Sequence, residues 1–131
     1  GIAGCASSGT TMADGRAEPS RGSPEIASTG LLPTTFTPEQ AERGRRVFGS
    51  ICSSCHSRNE FRGPIFQLTW MAEPVGNLFQ HISTTMPYDE PGSLEEGEYA
   101  AIVAHMLDLN GRTPGASELP IDTGLLSRMR W

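Results

Sequence analysis

The sequence predicts an all-α domain, and three observations carry that expectation. Thr37-Pro38-Glu39-Gln40 and Ser93-Leu94-Glu95-Glu96 each place a hydroxyl residue three positions before a Gln or Glu, the pattern of a capping box at a helix start. Apolar residues after each start recur every three or four positions, the spacing of one helix face. No segment alternates apolar and polar residues for long enough to read as a half-buried strand.

The elements follow in order. Residues 1–35 are rich in Gly, Ser, Thr, Ala and Pro and show neither period. A segment so poor in large apolar side chains reads as an extended or disordered tether, leaving a domain over 36–131. The first helix has Thr37 as N-cap and Pro38 at its first position, and its stripe of Ala41, Gly44, Val47, Phe48 and Ile51 runs up to Cys52. The second spans about residues 74–83, with Val75, Leu78, Phe79 and Ile82 on one face. The third has Ser93 as N-cap; Tyr99, Ile102, Val103, Met106 and Leu107 then repeat at helical spacing until Asn110-Gly111 stops it. Residues 112–131 read as a tail with a short apolar stretch at Leu125, Leu126 and Met129.

Length and charge narrow the function classes. A chain of 131 residues makes one domain with trimmings. All ten basic residues are Arg and the net charge is −5, which argues against a nucleic-acid partner. No apolar run approaches the ~18 residues of a membrane-spanning helix.

Cys52-Ser53-Ser54-Cys55-His56 is the informative motif. C-x-x-C-H is the spacing at which two thiols add to the vinyl groups of a porphyrin while the adjacent imidazole ligates the iron. A dithiol redox site would want a preceding strand, whereas the residues before Cys52 read as helix. A zinc site needs four converging ligands, and there is no second Cys pair; His81 and His105 lie far along the chain. The motif occurs once, so one covalent haem c is expected.

A sixth ligand is expected downstream, and Met86-Pro87 supplies it. The thioether is soft and favours Fe(II), and Pro87 keeps the backbone at Met86 out of a helix. Thr84 and Thr85 are placed to hydrogen-bond near the sulfur or a propionate. Met71 beside Trp70 reads as wall, Met106 as core, and Met12 and Met129 lie in terminal segments. Trp70 and Arg62 carry the indole N–H and guanidinium that a haem propionate needs; core packing for Trp70 and a solvated surface role for Arg62 stand as the alternatives.

These residues together resemble a class I, single-haem cytochrome c. The resemblance runs over about residues 36–125: a helix, C-x-x-C-H, a Trp, a short helix, Thr84-Thr85-Met86-Pro87 and a terminal helix. Thr-Thr-Met-Pro, Pro91-Gly92-Ser93-Leu94, the Glu98–Ala104 stretch and Glu118-Leu119-Pro120 resemble cytochrome subunits of periplasmic dehydrogenases and membrane respiratory complexes. It implies a small cytochrome c fold wrapped around the haem. It implies that the first and last helices cross where Gly44 and Phe48 meet a residue that is often aromatic in the family and is His105 here. It also implies that the Pro64 carbonyl accepts the ring N–H of His56, and that haem is attached outside the cytoplasm, on the periplasmic side of a bacterial membrane.

Ile2-Ala3-Gly4-Cys5 resembles a lipobox, with Cys5 as the lipid anchor and the Ser/Gly-rich stretch after it as a flexible tether. A free or intermolecular Cys5 is the other reading. The function implied is one-electron transfer to redox partner proteins, as a tethered subunit of a membrane-associated complex rather than an enzyme in its own right. A free periplasmic shuttle is the alternative, and a haem enzyme or gas sensor with an exchangeable sixth ligand is the rival class. Asp89 and Glu90 follow Met86, so a partner docking there is expected to present basic groups.

Overall fold

The chain enters the fold through a two-residue strand, β1 (Leu32–Pro33), in the computed structural model, which describes residues 30–131. Helix α1 (Pro38–Val47) begins where the sequence places it: the Thr37 side chain accepts from the Gln40 N–H at 3.0 Å, and Pro38 needs no hydrogen bond at that first position. The capping box is only half formed. The buried Gln40 side chain instead pairs with the backbone of Leu119 in both directions, donating to its carbonyl at 3.0 Å and accepting from its N–H at 2.7 Å. That pairing holds the segment after the last long helix against α1.

Beyond α1 the backbone widens into a π-helical turn, Phe48–Cys52, then a 3-10 turn, Arg58–Phe61. Helix α2 (Pro64–Trp70) follows, entered through Gly63 at φ +94°, a left-handed value that glycine adopts at little cost. Helix α3 (Val75–Thr85) buries Val75, Leu78, Phe79 and Ile82, the face expected from their spacing. Helix α4 (Glu96–Leu109) starts later than expected. Glu95, not Ser93, is its N-cap, and Glu95 and Glu98 form the capping box. Helix α5 (Thr123–Leu126) and strand β2 (Met129–Arg130) close the chain.

Helices α1 and α4 form the main packing pair. A Cβ on Gly44 would lie 1.8 Å from the Ala101 carbonyl oxygen, so only glycine lets the two backbones approach this closely. One turn on, Phe48 meets His105 with ring centroids 5.7 Å apart, so the imidazole takes the aromatic's place in the crossing. His105 is 2% exposed and its Nε2 has no hydrogen-bond partner. Burial pushes its pKa below the ordinary value, with Arg58 acting in the same direction, so the ring is neutral at pH 7. Every residue from Tyr99 to Leu107 is buried, so α4 runs through the core with no solvent face over this stretch.

The tail is structural. Leu119, Leu126 and Met129 are buried, each such leucine contributing about 1.5–3 kcal/mol relative to exposure. Leu126 abuts Gly76 on α3, where an added Cβ would lie 2.9 Å from the Leu126 carbonyl carbon. Strands β1 and β2 pair in parallel, Leu32 with Met129 and Pro33 with Arg130. β1 lies within the stretch read as tether, and its pairing holds residues 32–33 against the C-terminal end. Trp131 packs edge-on against Phe66 at 5.8 Å. No helix among the described residues is long and apolar enough to cross a membrane.

Candidate functional site

The π-helical turn delivers Cys52 into a tight turn in which the N–H groups of Cys55 and His56 both donate to the Cys52 carbonyl, at 3.1 and 2.9 Å. Ser53 Oγ donates back to the Gly49 carbonyl at 2.6 Å. This turn, α3 and α4 together enclose a cavity of about 550 Å³. Cys52, Cys55, His56, Trp70 and Met86 all line it, and Phe61, Phe66, Leu78, Ile82 and Ile102 give it apolar walls.

Cys52 and Cys55 are not joined in a disulfide. Burial raises the Cys52 pKa, the opposite of the lowering that activates a dithiol redox site. Among the described residues no three of His, Cys, Asp and Glu come together in a way that would hold a metal ion. The chemistry gathered here is two cysteine sulfurs, one imidazole and one thioether around an apolar space.

Met86 is fixed by its backbone. Helix α3 ends at Thr85 and Met86 is extended, at φ −125° and ψ 151°, before a cis peptide to Pro87. Its N–H donates to Ile82 at 2.9 Å, and its carbonyl accepts the Tyr99 hydroxyl at 2.7 Å. The same hydroxyl accepts the Leu94 N–H at 3.2 Å, so one buried side chain on α4 holds both ends of the loop that carries Met86. Sequence reasoning counted Tyr99 only as an apolar stripe residue; its hydroxyl, at a core position, was the available signal. Asn110, read only as a helix stop, also ties elements together. Its side chain donates to the Phe61 carbonyl at 2.8 Å and accepts from Gln67 at 3.2 Å.

The other methionines separate clearly. Met106 lines the cavity but is a fully buried mid-helix residue, and Met71 is half-buried outside it. His81 also lines the cavity and lies against Trp70, ring centroids 5.2 Å apart. Thr84 and Thr85 do not turn toward Met86: their hydroxyls donate to the Gln80 and His81 carbonyls at 2.7 and 2.6 Å, the local back-bonding that competes for such side chains in helices.

Two residues expected at the site lie off this cavity. Arg62 is exposed and lines a different cleft with Arg45 and Arg58, which His56 also borders. Pro64 opens α2 and does not line the cavity. The partner of the His56 ring is Glu60: Nδ1 and Oε1 are 3.0 Å apart. Glu60 is fixed in turn, its Oε2 accepting the Ser57 N–H at 2.8 Å. These two contacts, Ser57 first, hold its carboxyl pKa below the ordinary range, so it is ionised. Sequence reasoning missed Glu60; its place four residues after His56 was the signal. Cys5 lies outside the described residues.

An apolar cavity carrying a C-x-x-C-H turn and a thioether, enclosed by helices whose long members cross at a glycine, defines a c-type cytochrome domain. Residues 39–106 match the family described as cytochrome C oxidase, cbb3-type, subunit III, and the chain belongs to that family of cytochrome c domains. No curated protein and no solved structure matches the chain. Membership implies covalently bound haem c, electron carriage, redox partners in a respiratory complex and the periplasmic or exported setting typical of c-type cytochromes. The residues present fit that group: the thiols are free to form thioethers, and the walls are apolar enough to take a porphyrin plate.

Proposed function

We propose that this chain binds a single haem c through Cys52 and Cys55, holds its iron between His56 and Met86, and passes single electrons as a tethered subunit of a membrane-associated respiratory complex. The observation that carries the reading is the convergence of both thiols, the imidazole and the Met86 thioether on one apolar cavity. The bound haem would supply the one-electron couple. The chain's own part is to fix two ligands of unlike softness and to keep the site in an apolar surround, which disfavours the more highly charged ferric state. Trp70, whose indole N–H has no partner among the described residues, remains the candidate donor to a propionate. Arg62 would have to reach it from the neighbouring cleft.

The tether reading rests on sequence. With residues 32–33 held by β2, residues 6–31 would span roughly 85 Å if fully extended, at ~3.3 Å per residue. A diacylated Cys5 would make the attachment stable where one chain would be marginal, and would raise the effective concentration of the haem domain beside its complex. Asp89 is exposed and borders the cavity, which favours a partner with basic groups at that rim.

Cys5→Ser is the test. It is expected to release a folded, haem-loaded protein into the soluble fraction and to slow electron delivery by membranes. Retention of the Ser variant after a high-salt wash would mean that protein contacts hold it, and the lipid anchor would be wrong. A soluble wild type would favour the free shuttle instead.

A further inference from the structure

We infer that His105 is an acid-sensitive joint in the fold: a proton on its ring drives α1 and α4 apart at their crossing, so acid loosens the domain that neutral pH holds closed.

The crossing leaves no room for the charge. Gly44 brings the two backbones together one turn before Phe48, and a Cβ there would lie 3.0 Å from His105 Cβ. Phe48 packs against the imidazole, ring centroids 5.7 Å apart. His105 is 2% exposed and its Nε2 has no hydrogen-bond partner. A neutral ring carries one N–H and no charge into that site. An imidazolium carries two N–H donors and a full charge, and both are costly to bury unpaired.

The charged groups around the ring do not relieve that cost. Glu42 and Arg45 face it from α1, Arg58 from the turn after His56, and Asp108 from α4 itself. Glu42 is taken up by Arg45, at 2.9 and 2.5 Å, and by Arg46 at 3.4 Å. Asp108 is exposed, and neither carboxylate hydrogen-bonds the ring. Burial first, and Arg58 after it, hold the ring's pKa below its ordinary value. The sign follows. The unfolded chain takes up this proton near pH 6.5 and the folded one does not, so stability from this group is lost as pH falls below ~6.5. The effect reaches the cavity, because α1 runs on into the turn that ends at Cys52, and α4 supplies Tyr99, Ile102 and Met106 to its wall.

The test compares the wild-type holoprotein with His105→Phe, which keeps an aromatic ring and removes both nitrogens. Urea unfolding is measured at about pH 7.5 and about pH 5, either side of the ordinary histidine value. Between them the folded-to-unfolded ratio of the wild type is expected to fall by up to about 30-fold more than that of the variant, the limit for a histidine that titrates only when unfolded. His81→Gln removes an exposed histidine and is expected to keep the wild-type dependence, which controls for histidines that reach the iron in the unfolded chain. In the folded wild type the His105 ring resonances are expected to hold their neutral positions down to about pH 5.5. Parallel pH profiles for wild type and His105→Phe, or a ring that titrates near its ordinary value in the folded protein, would overturn the inference. If His105→Phe does not fold, the ring titration alone decides.

Discussion

Met86→Ala is expected to remove the weak near-infrared sulfur-to-iron band of the oxidised protein, lower the reduction potential and open the reduced iron to carbon monoxide, which the wild type is expected to exclude. The potential should fall by on the order of 0.1 V, within the ~0.8 V range that axial ligands span. Loss of a soft thioether removes a preference for Fe(II). The vacancy should persist because the backbone is held independently of the side chain, through the Ile82 and Tyr99 contacts. Two controls separate ligation from packing. Met71→Ala alters a half-buried residue off the cavity and should leave the band. Met106→Ala empties a core position, costing about 2–5 kcal/mol of stability, and should also leave the band. A band that survives Met86→Ala and disappears with either control would name a different ligand.

Gly44→Ala is expected to destabilise the fold by at least about 3 kcal/mol, beyond the usual range for surface changes. The added methyl would lie 1.8 Å from the Ala101 carbonyl oxygen, and that atom is backbone, so relief requires α1 and α4 to separate. Separation would also loosen the Phe48–His105 contact. Thermal unfolding should show a loss of more than about 10 °C in Tm. Gly97→Ala supplies the contrast. Gly97 lies in the first turn of α4 with nothing within 4 Å of an added Cβ, and helix propensity favours Ala by up to about 1 kcal/mol. The same substitution should therefore act with opposite sign at the two positions. A Gly44→Ala protein as stable as the wild type would mean that the crossing is looser than described.

What the sequence made legible was local. Thr37 and Pro38 mark a helix start through bonds within one turn, and Val75, Leu78, Phe79 and Ile82 betray their face by spacing alone. The C-x-x-C-H motif and Met86 stand out in the sequence because little else in the chain offers those residue types, and the structure brings them to one cavity. Several of the features missed depend on partners that the local pattern does not show. Gln40 matched a capping pattern, but its amide finds Leu119, 79 residues away. Ser93 matched one too, yet the backbone at Leu94 is taken by the Tyr99 hydroxyl and the helix starts after Glu95. Helix α2 gave no amphipathic signal because Ile65 and Leu68 are each 82% exposed. Strand β1 is two residues long and exists only because the C-terminal end returns beside it. The Pro64 expectation came from resemblance; Glu60, four residues after His56, lies 3.0 Å from the ring Nδ1 in the structure.

The most direct measurement is the mass of the purified protein under denaturing conditions, after extraction with acid-acetone. The account predicts the chain plus one haem that the solvent does not remove, with the added mass on the peptide containing Cys52 and Cys55. Haem released by the solvent, an unmodified peptide, or a second haem in the mass would contradict it.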